Sequence, residues 1–171
     1  MKTKDVVVVP YDLAWPAAFD AIREELAMVL EDACLAIEHV GSTAVPGLCA
    51  KPIVDIDVVI DTAARFPFVR ARLEAAGYRH EGDLGIAGRE AFKYDDKPHL
   101  MCHHLYVCVS GNAELRRHLA FRDHLRNDSA DRDSYGAVKR AAAARHPHDI
   151  DAYIAEKGEI IARILAECGN L

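Results

Sequence analysis

Apolar positions recur along the chain with two periods, and the switches between them mark the elements. Trp15, Phe19, Ile22, Leu26 and Leu30 follow a helical spacing, and Pro16 stands where a helix opens. Residues 35–40 (LAIEHV) read as a strand that ends at Gly41-Ser42, and residues 53–60 (IVDIDVVI) as a second strand rich in β-branched side chains. Phe66, Val69, Leu73 and Ala76 mark a helix stopped by Gly77. Residues 90–95 (EAFKYD) and 103–109 (HHLYVCV) read as further strands. From Ala113 the period is helical. Leu115, Leu119 and Leu125 mark one helix, and Tyr135 and Val138 a second. Ile150, Tyr153, Ile154, Ile161, Ile164 and Leu165 mark the last. Between these two, Pro147 predicts a helix break and Asp149 the next N-terminus. The four valines at 6–9 fit a strand or an extended arm. Strands dominate the middle, with one helix before them and several after. The expectation is an α+β fold, a mixed β-sheet flanked by helices, with residues 1–171 forming one domain.

Composition narrows the function more than the fold. Apolar residues make up 51% and charged residues 28%, as in an ordinary globular domain. The formal net charge of −6 argues against general nucleic-acid binding, which calls for a basic surplus. Five scattered cysteines without a CxxC pair indicate neither a disulfide framework nor a zinc knuckle. Buried free thiols in a cytoplasmic protein are the expectation. No apolar run approaches a membrane span or a signal-peptide core. Apolar positions on several helix faces leave room for a homodimer.

The second strand carries two aspartates, although strands disfavour them. Asp55 and Asp57 are two apart, so both point to one face, with Cα atoms roughly 6.6–6.8 Å apart. Val54, Ile56, Val58 and Ile60 take the other face, which reads as core. Two carboxylates on one face can share a divalent cation, and oxygen-only ligands suit Mg2+ or Mn2+ better than zinc. The same spacing also fits a half-exposed strand with two solvated acids.

The surroundings of the pair are distinctive. Gly41-Ser42 follows an apolar strand directly, and twelve residues separate Ser42 from Asp55. A strand, a Gly-Ser turn, a short excursion and a strand with two acids resemble the signature of polymerase-β-like nucleotidyltransferases. More narrowly, residues 39–58 (HVGSTAVPGLCAKPIVDIDV) resemble the hallmark of the GrpB family, an uncharacterised protein family with that fold. The similarity continues through residues 6–26, 111–126, 135–143 and 153–165. The resemblance implies Gly41 and Ser42 at the phosphates of a nucleotide and Asp55 and Asp57 as the metal-binding catalytic acids. Lys51 sits in the matching Lys-Pro pair, where it can offset phosphate charge or stand as an ordinary surface lysine.

The chain departs from the superfamily on the strand at 103–109. A third carboxylate is expected there, and the strand has none. The family pattern also leads one to expect a histidine at Tyr106. His104 or His103 can serve as ligand or general base in place of the acid. Otherwise one faces the core and the other solvent. His39 is a structural histidine or a ligand contact at its strand end. Arg122 and Arg126, four apart on a helix, supply positive charge, followed by Lys139 and Arg140. Arg122 suits a bidentate clamp on a triphosphate, or a salt bridge to an acid of the sheet, with its neighbour Asp123 on another face.

Three readings follow. The resemblance implies metal-dependent transfer from a nucleoside triphosphate to an unknown small-molecule or protein acceptor. A second is a nucleotide- or phosphometabolite-binding domain without transfer chemistry, linked to coenzyme A metabolism, because family members occur as extensions of dephospho-coenzyme A kinase. A third is an interaction module that keeps the motif for folding alone.

Overall fold

The computed structural model describes residues 5–169. Helix α1 (Trp15–Leu30) leads into strand β1 (Ala36–Val40), and strand β2 (Val54–Ile60) carries the two aspartates. Helix α2 (Phe66–Ala75) is followed by β3 (Tyr78–Gly82), β4 (Arg89–Tyr94) and β5 (His103–Val109). Helices α3 (Ala113–Asn127), α4 (Ser129–Arg145) and α5 (Ile150–Glu167) complete the chain. The five strands form one sheet in the order β1-β2-β5-β4-β3. Only β2 and β5 run parallel, and the other neighbours are antiparallel. The fold is therefore α+β with a mixed sheet.

The alternation of β2 decides which helices lie where. Val54, Ile56, Val58 and Ile60 pack with Leu105 and Val107 of β5 against Ile22, Leu26 and Leu30 of α1 and Val69 and Leu73 of α2. Each such side chain stabilises the fold by roughly 1.5–3 kcal/mol when fully buried. The opposite face meets the C-terminal helices. Leu115 of α3 packs on Val59 and Cys108, and Val45 and Leu48 join Leu125, Tyr135 and Ile164 in a second core. The aspartates thus point toward the helical half of the molecule.

Helix ends follow their signals. Asn112 caps α3, Asp128 caps α4 and Asp149 caps α5 through side-chain oxygens. His124 and Asp131 bond at 2.6 Å, and Arg163 of α5 reaches Asp131 at 2.8 Å, so this cluster ties α3, α4 and α5 together. The valine run is an extended arm: Val9 bridges Ala50, and Val6 N–H donates to the Pro147 carbonyl. Two expectations need correction. Strand β3 was not foreseen, because only Tyr78 among its residues is buried. Of the five thiols only Cys49 and Cys108 are buried, and Cys102 is exposed, because it precedes β5 in a loop.

Candidate functional site

The site forms at one end of the sheet, where β1 leaves and β2 and β5 enter. Register brings its residues together. Asp55 lies between Val40 of β1 and His104 of β5, and Asp57 between Glu38 and Tyr106. These side chains share one face. After Val40 the chain turns sharply at Gly41, which has φ of +72°. Only glycine adopts that conformation without strain. A Cβ at Gly41 would also overlap Asp55 Oδ2. Gly41→Ala is therefore expected to cost about 1–3 kcal/mol of stability and to push Asp55 out of position. Thermal unfolding and ligand titration of the variant check both effects.

Both aspartates are held by histidines. A carboxylate can only accept, so the imidazoles donate. His104 Nδ1–H donates to Asp55 Oδ1 at 2.9 Å, which leaves Nε2 of His104 as a proton acceptor. His118 Nδ1–H of α3 donates to Asp57 Oδ2 at 2.6 Å. Burial opposes the charge of His118, but the Asp57 hydrogen bond and the charges of Asp57, Glu114 and Asp55 outweigh it and raise its pKa. Asp57 is 0% exposed, and its Oδ1 has no hydrogen-bond partner. A buried carboxylate oxygen without a partner is costly. The two acids and this free oxygen fit a hard divalent cation such as Mg2+ or Mn2+.

Beside Asp55 lies a cleft of about 200 Å3, lined by Ser42, Lys51, Asp55, His104, Tyr153 and Lys157 among others. Its positive charge is desolvated. Burial, opposed by Asp55, lowers the pKa of Lys51. Burial and the charge of Lys51 push Lys157 down to about 8. Behind the cleft, burial and the charge of Lys157 push Lys139 down to about 7. Lys139 is 2% exposed; its Nζ donates to the Cys49 carbonyl at 2.7 Å and lies 5.2 Å from the Tyr135 ring centroid. Lys157 sits 4.2 Å over the Tyr153 ring. Among the described residues, neither lysine meets a carboxylate at ion-pair distance. Burial raises the pKa of Tyr135, and the Ser42 side chain works against that shift.

The structure thus brings Ser42, Lys51, Asp55 and His104 into one cleft, with Gly41 against Asp55 and Asp57 buried behind. His103 and His104 point to opposite faces: His103 is buried against Tyr78. His39 is structural; its ring stacks on Phe19 at 4.5 Å and shares a hydrogen bond with Thr43 at 2.9 Å. Burial pushes its pKa to about 4, so it is neutral. Arg122 departs from the phosphate-binding expectation. It does not line the cleft; Nη1 donates to Glu38 at 2.7 Å and to the His39 carbonyl at 3.0 Å. Its Nε also donates to Asp123 at 2.8 Å, so the neighbouring acid does share its surroundings. Arg126 Nε donates to the Ala44 carbonyl and pins the loop after the turn. His118, Lys139 and Lys157 had not been assigned to the site. His118 was detectable: it stands four residues before Arg122 and one before Leu119, on the sheet-facing side of α3.

This arrangement has relatives. Among solved structures, Cid1 in complex with its short product ApU superposes with a TM-score of 0.54 at 13% identity, over 77% of this chain and 42% of that one. That likeness carries the nucleotidyltransferase-like fold alone. The crystal structure of the conserved protein GrpB from Enterococcus faecalis superposes with a TM-score of 0.80 at 34% identity, over 94% of this chain and 98% of that one. The UPF0157 protein YqkA of Bacillus subtilis is 34% identical over 158 residues, which are 92% of this chain. They are 46% of YqkA, so the chain spans about half the length of that relative. The family model described as GrpB protein matches residues 5–167. With the family model matching residues 5–167 and the GrpB structure superposing over 94% of this chain, the chain belongs to the GrpB family.

Proposed function

We propose that the protein is a metal-dependent nucleotidyltransferase, moving a nucleoside monophosphate from a triphosphate to a hydroxyl acceptor. The observation that carries this reading is the cleft itself. Lys51 and Lys157, both desolvated, line it beside Ser42 and Asp55, and Lys139 is buried behind them. Polyphosphate is the ligand such a cleft stabilises best, because each lysine regains a counter-charge in a low-dielectric site.

Asp55 and Asp57 would hold a divalent cation, which supplies Lewis-acid charge at the transferring phosphoryl group. Lys51 and Lys157 bind the phosphate oxygens, and Lys139 adds field from behind. Ser42 offers a hydroxyl donor beside them. In the reaction the acceptor oxygen bonds to the α-phosphorus, the bond to the bridging oxygen breaks, and pyrophosphate leaves. The acceptor's proton passes to His104 Nε2, which is free because Nδ1–H is committed to Asp55. Arg122 takes a positioning role, fixing α3 against β1 through Glu38.

Tyr106 favours a second reading. It stands in register with Asp57 on β5, the strand on which a third carboxylate was expected. With a phenol there, the domain would bind a nucleotide or phosphometabolite without transferring it. Calorimetric titration of ATP, CTP, GTP and UTP, with and without Mg2+ or Mn2+, tests the common ground. Metal-dependent binding of at least one triphosphate is expected. No binding at millimolar concentration would remove the transferase reading and the nucleotide form of the second, and analysis for released pyrophosphate separates transfer from binding alone.

A further inference from the structure

A second cavity, of about 120 Å3, opens at the same end of the sheet. It meets the lysine-lined cleft only at Ile53 and His104. His104, whose imidazole bonds Asp55, therefore lines both chambers. Their chemistries are opposite. The walls of the second chamber are Phe92, Tyr94, Cys102 and His103. The His103 ring stacks on Tyr94 at 4.4 Å. Its Nδ1–H donates to the Met101 carbonyl and its Nε2 accepts from the Tyr78 hydroxyl, each at 2.8 Å. Burial lowers its pKa, so it presents a neutral face. At the rim, Lys93 pairs with Glu81 at 2.9 Å and Asp95 with Arg79 at 2.5 Å. No cation is left for a phosphate, whereas an uncharged ring finds aromatic and sulfur surface. A dry cavity of about 150 Å3 holds one benzene ring. At about 120 Å3 the chamber is of that order, room for one ring rather than a fused pair.

The geometry points to this chamber as the acceptor site, taking the single uncharged ring of a hydroxyl-bearing acceptor. The inference rests on the reading of the lysine-lined cleft as the triphosphate site. Phosphoryl transfer places the attacking and leaving oxygens in line on opposite sides of phosphorus. With polyphosphate in the lysine-lined cleft, the attacking hydroxyl must enter from the side away from the leaving pyrophosphate, and the second chamber adjoins the cleft at His104 and Ile53.

The test uses benzyl alcohol as the single-ring probe and adenosine as the bicyclic one, followed by NMR of the intact protein. Benzyl alcohol is expected to shift resonances of Phe92, Tyr94 and His103 saturably, and adenosine is not. The shifts should persist when ATP with Mg2+ saturates the cleft. Cys102→Trp places bulk at an exposed position in the chamber's mouth. It should weaken benzyl alcohol at least about tenfold while triphosphate affinity and melting temperature stay unchanged. Absence of saturable shifts, or shifts that survive Cys102→Trp, would overturn the inference. Displacement of benzyl alcohol by the triphosphate would also overturn it, since the chamber would then belong to the donor. Triphosphate affinity is measured on the same samples, so a failure of the cleft reading registers separately from a failure of the ring site.

Discussion

Asp57→Asn is expected to weaken metal-dependent triphosphate binding on the order of 100-fold while the protein stays folded. Asp57 is fully buried at the centre of β2, and His118 satisfies only its Oδ2. Its Oδ1 has no partner. A buried charge survives when paired, and one imidazole pairs only part of this one. A cation shared with Asp55 would complete the coordination of the remaining oxygen. Asparagine keeps the shape and the bond to His118 but removes the charge, so it should spare or raise stability while metal affinity collapses. Calorimetry with ATP in Mn2+, beside a melting curve, separates binding from folding. Wild-type metal-dependent affinity in the variant would mean that Asp57 serves only to anchor α3 through His118.

The fold was largely legible because its elements carry strong periods. In β2 the alternation Val54, Ile56, Val58, Ile60 assigned the core face correctly, and the stripe Ile22, Leu26, Leu30 assigned the buried side of α1. Strand β3 was not legible, since at the sheet edge only Tyr78 is buried, Arg79 is exposed and Glu81 is half-buried, so no apolar alternation is imposed there. The site divides the same way. Gly41, Ser42, Lys51 and Asp55 lie within one short stretch, so local pattern sufficed to group them. Lys139 entered only as part of the positive charge of the second half and Lys157 not at all, because nothing in their own helices reports that α4 lays Lys139 on the Cys49 carbonyl or that α5 holds Lys157 beside the cleft. Arg122 shows the limit from the other side. A guanidinium suits phosphate and carboxylate alike, and the choice is made by Glu38, which β1 presents opposite Asp57.

Lys139→Met is expected to stabilise the protein and to weaken its ligand. In the folded protein Lys139 has its pKa pushed down to about 7, against about 10.4 in an unfolded chain. Between those values the unfolded state holds a proton that the folded state does not. Stability therefore rises as pH increases from about 7 to about 10.4, and the full penalty applies below about 7. Methionine fills the same space without a charge to desolvate, so the variant should gain about 1–3 kcal/mol near pH 6. The gain should shrink as pH rises. Lys157, pushed down to about 8, keeps a smaller slope of the same sign in the variant. Melting curves from pH 6 to 10 read this directly. An unchanged slope would show that Lys139 folds with its charge already compensated. The same residue should reveal its purpose in the presence of ligand. Bound polyphosphate restores the favourable field, so the wild-type protein should take up a proton on binding at pH 8. That uptake is visible as a dependence of the calorimetric heat on buffer ionisation. In Lys139→Met both part of the uptake and about tenfold of the triphosphate affinity should be lost. A chain that carries a destabilising buried lysine behind its cleft, and becomes both sturdier and weaker-binding without it, is holding that charge for an anion.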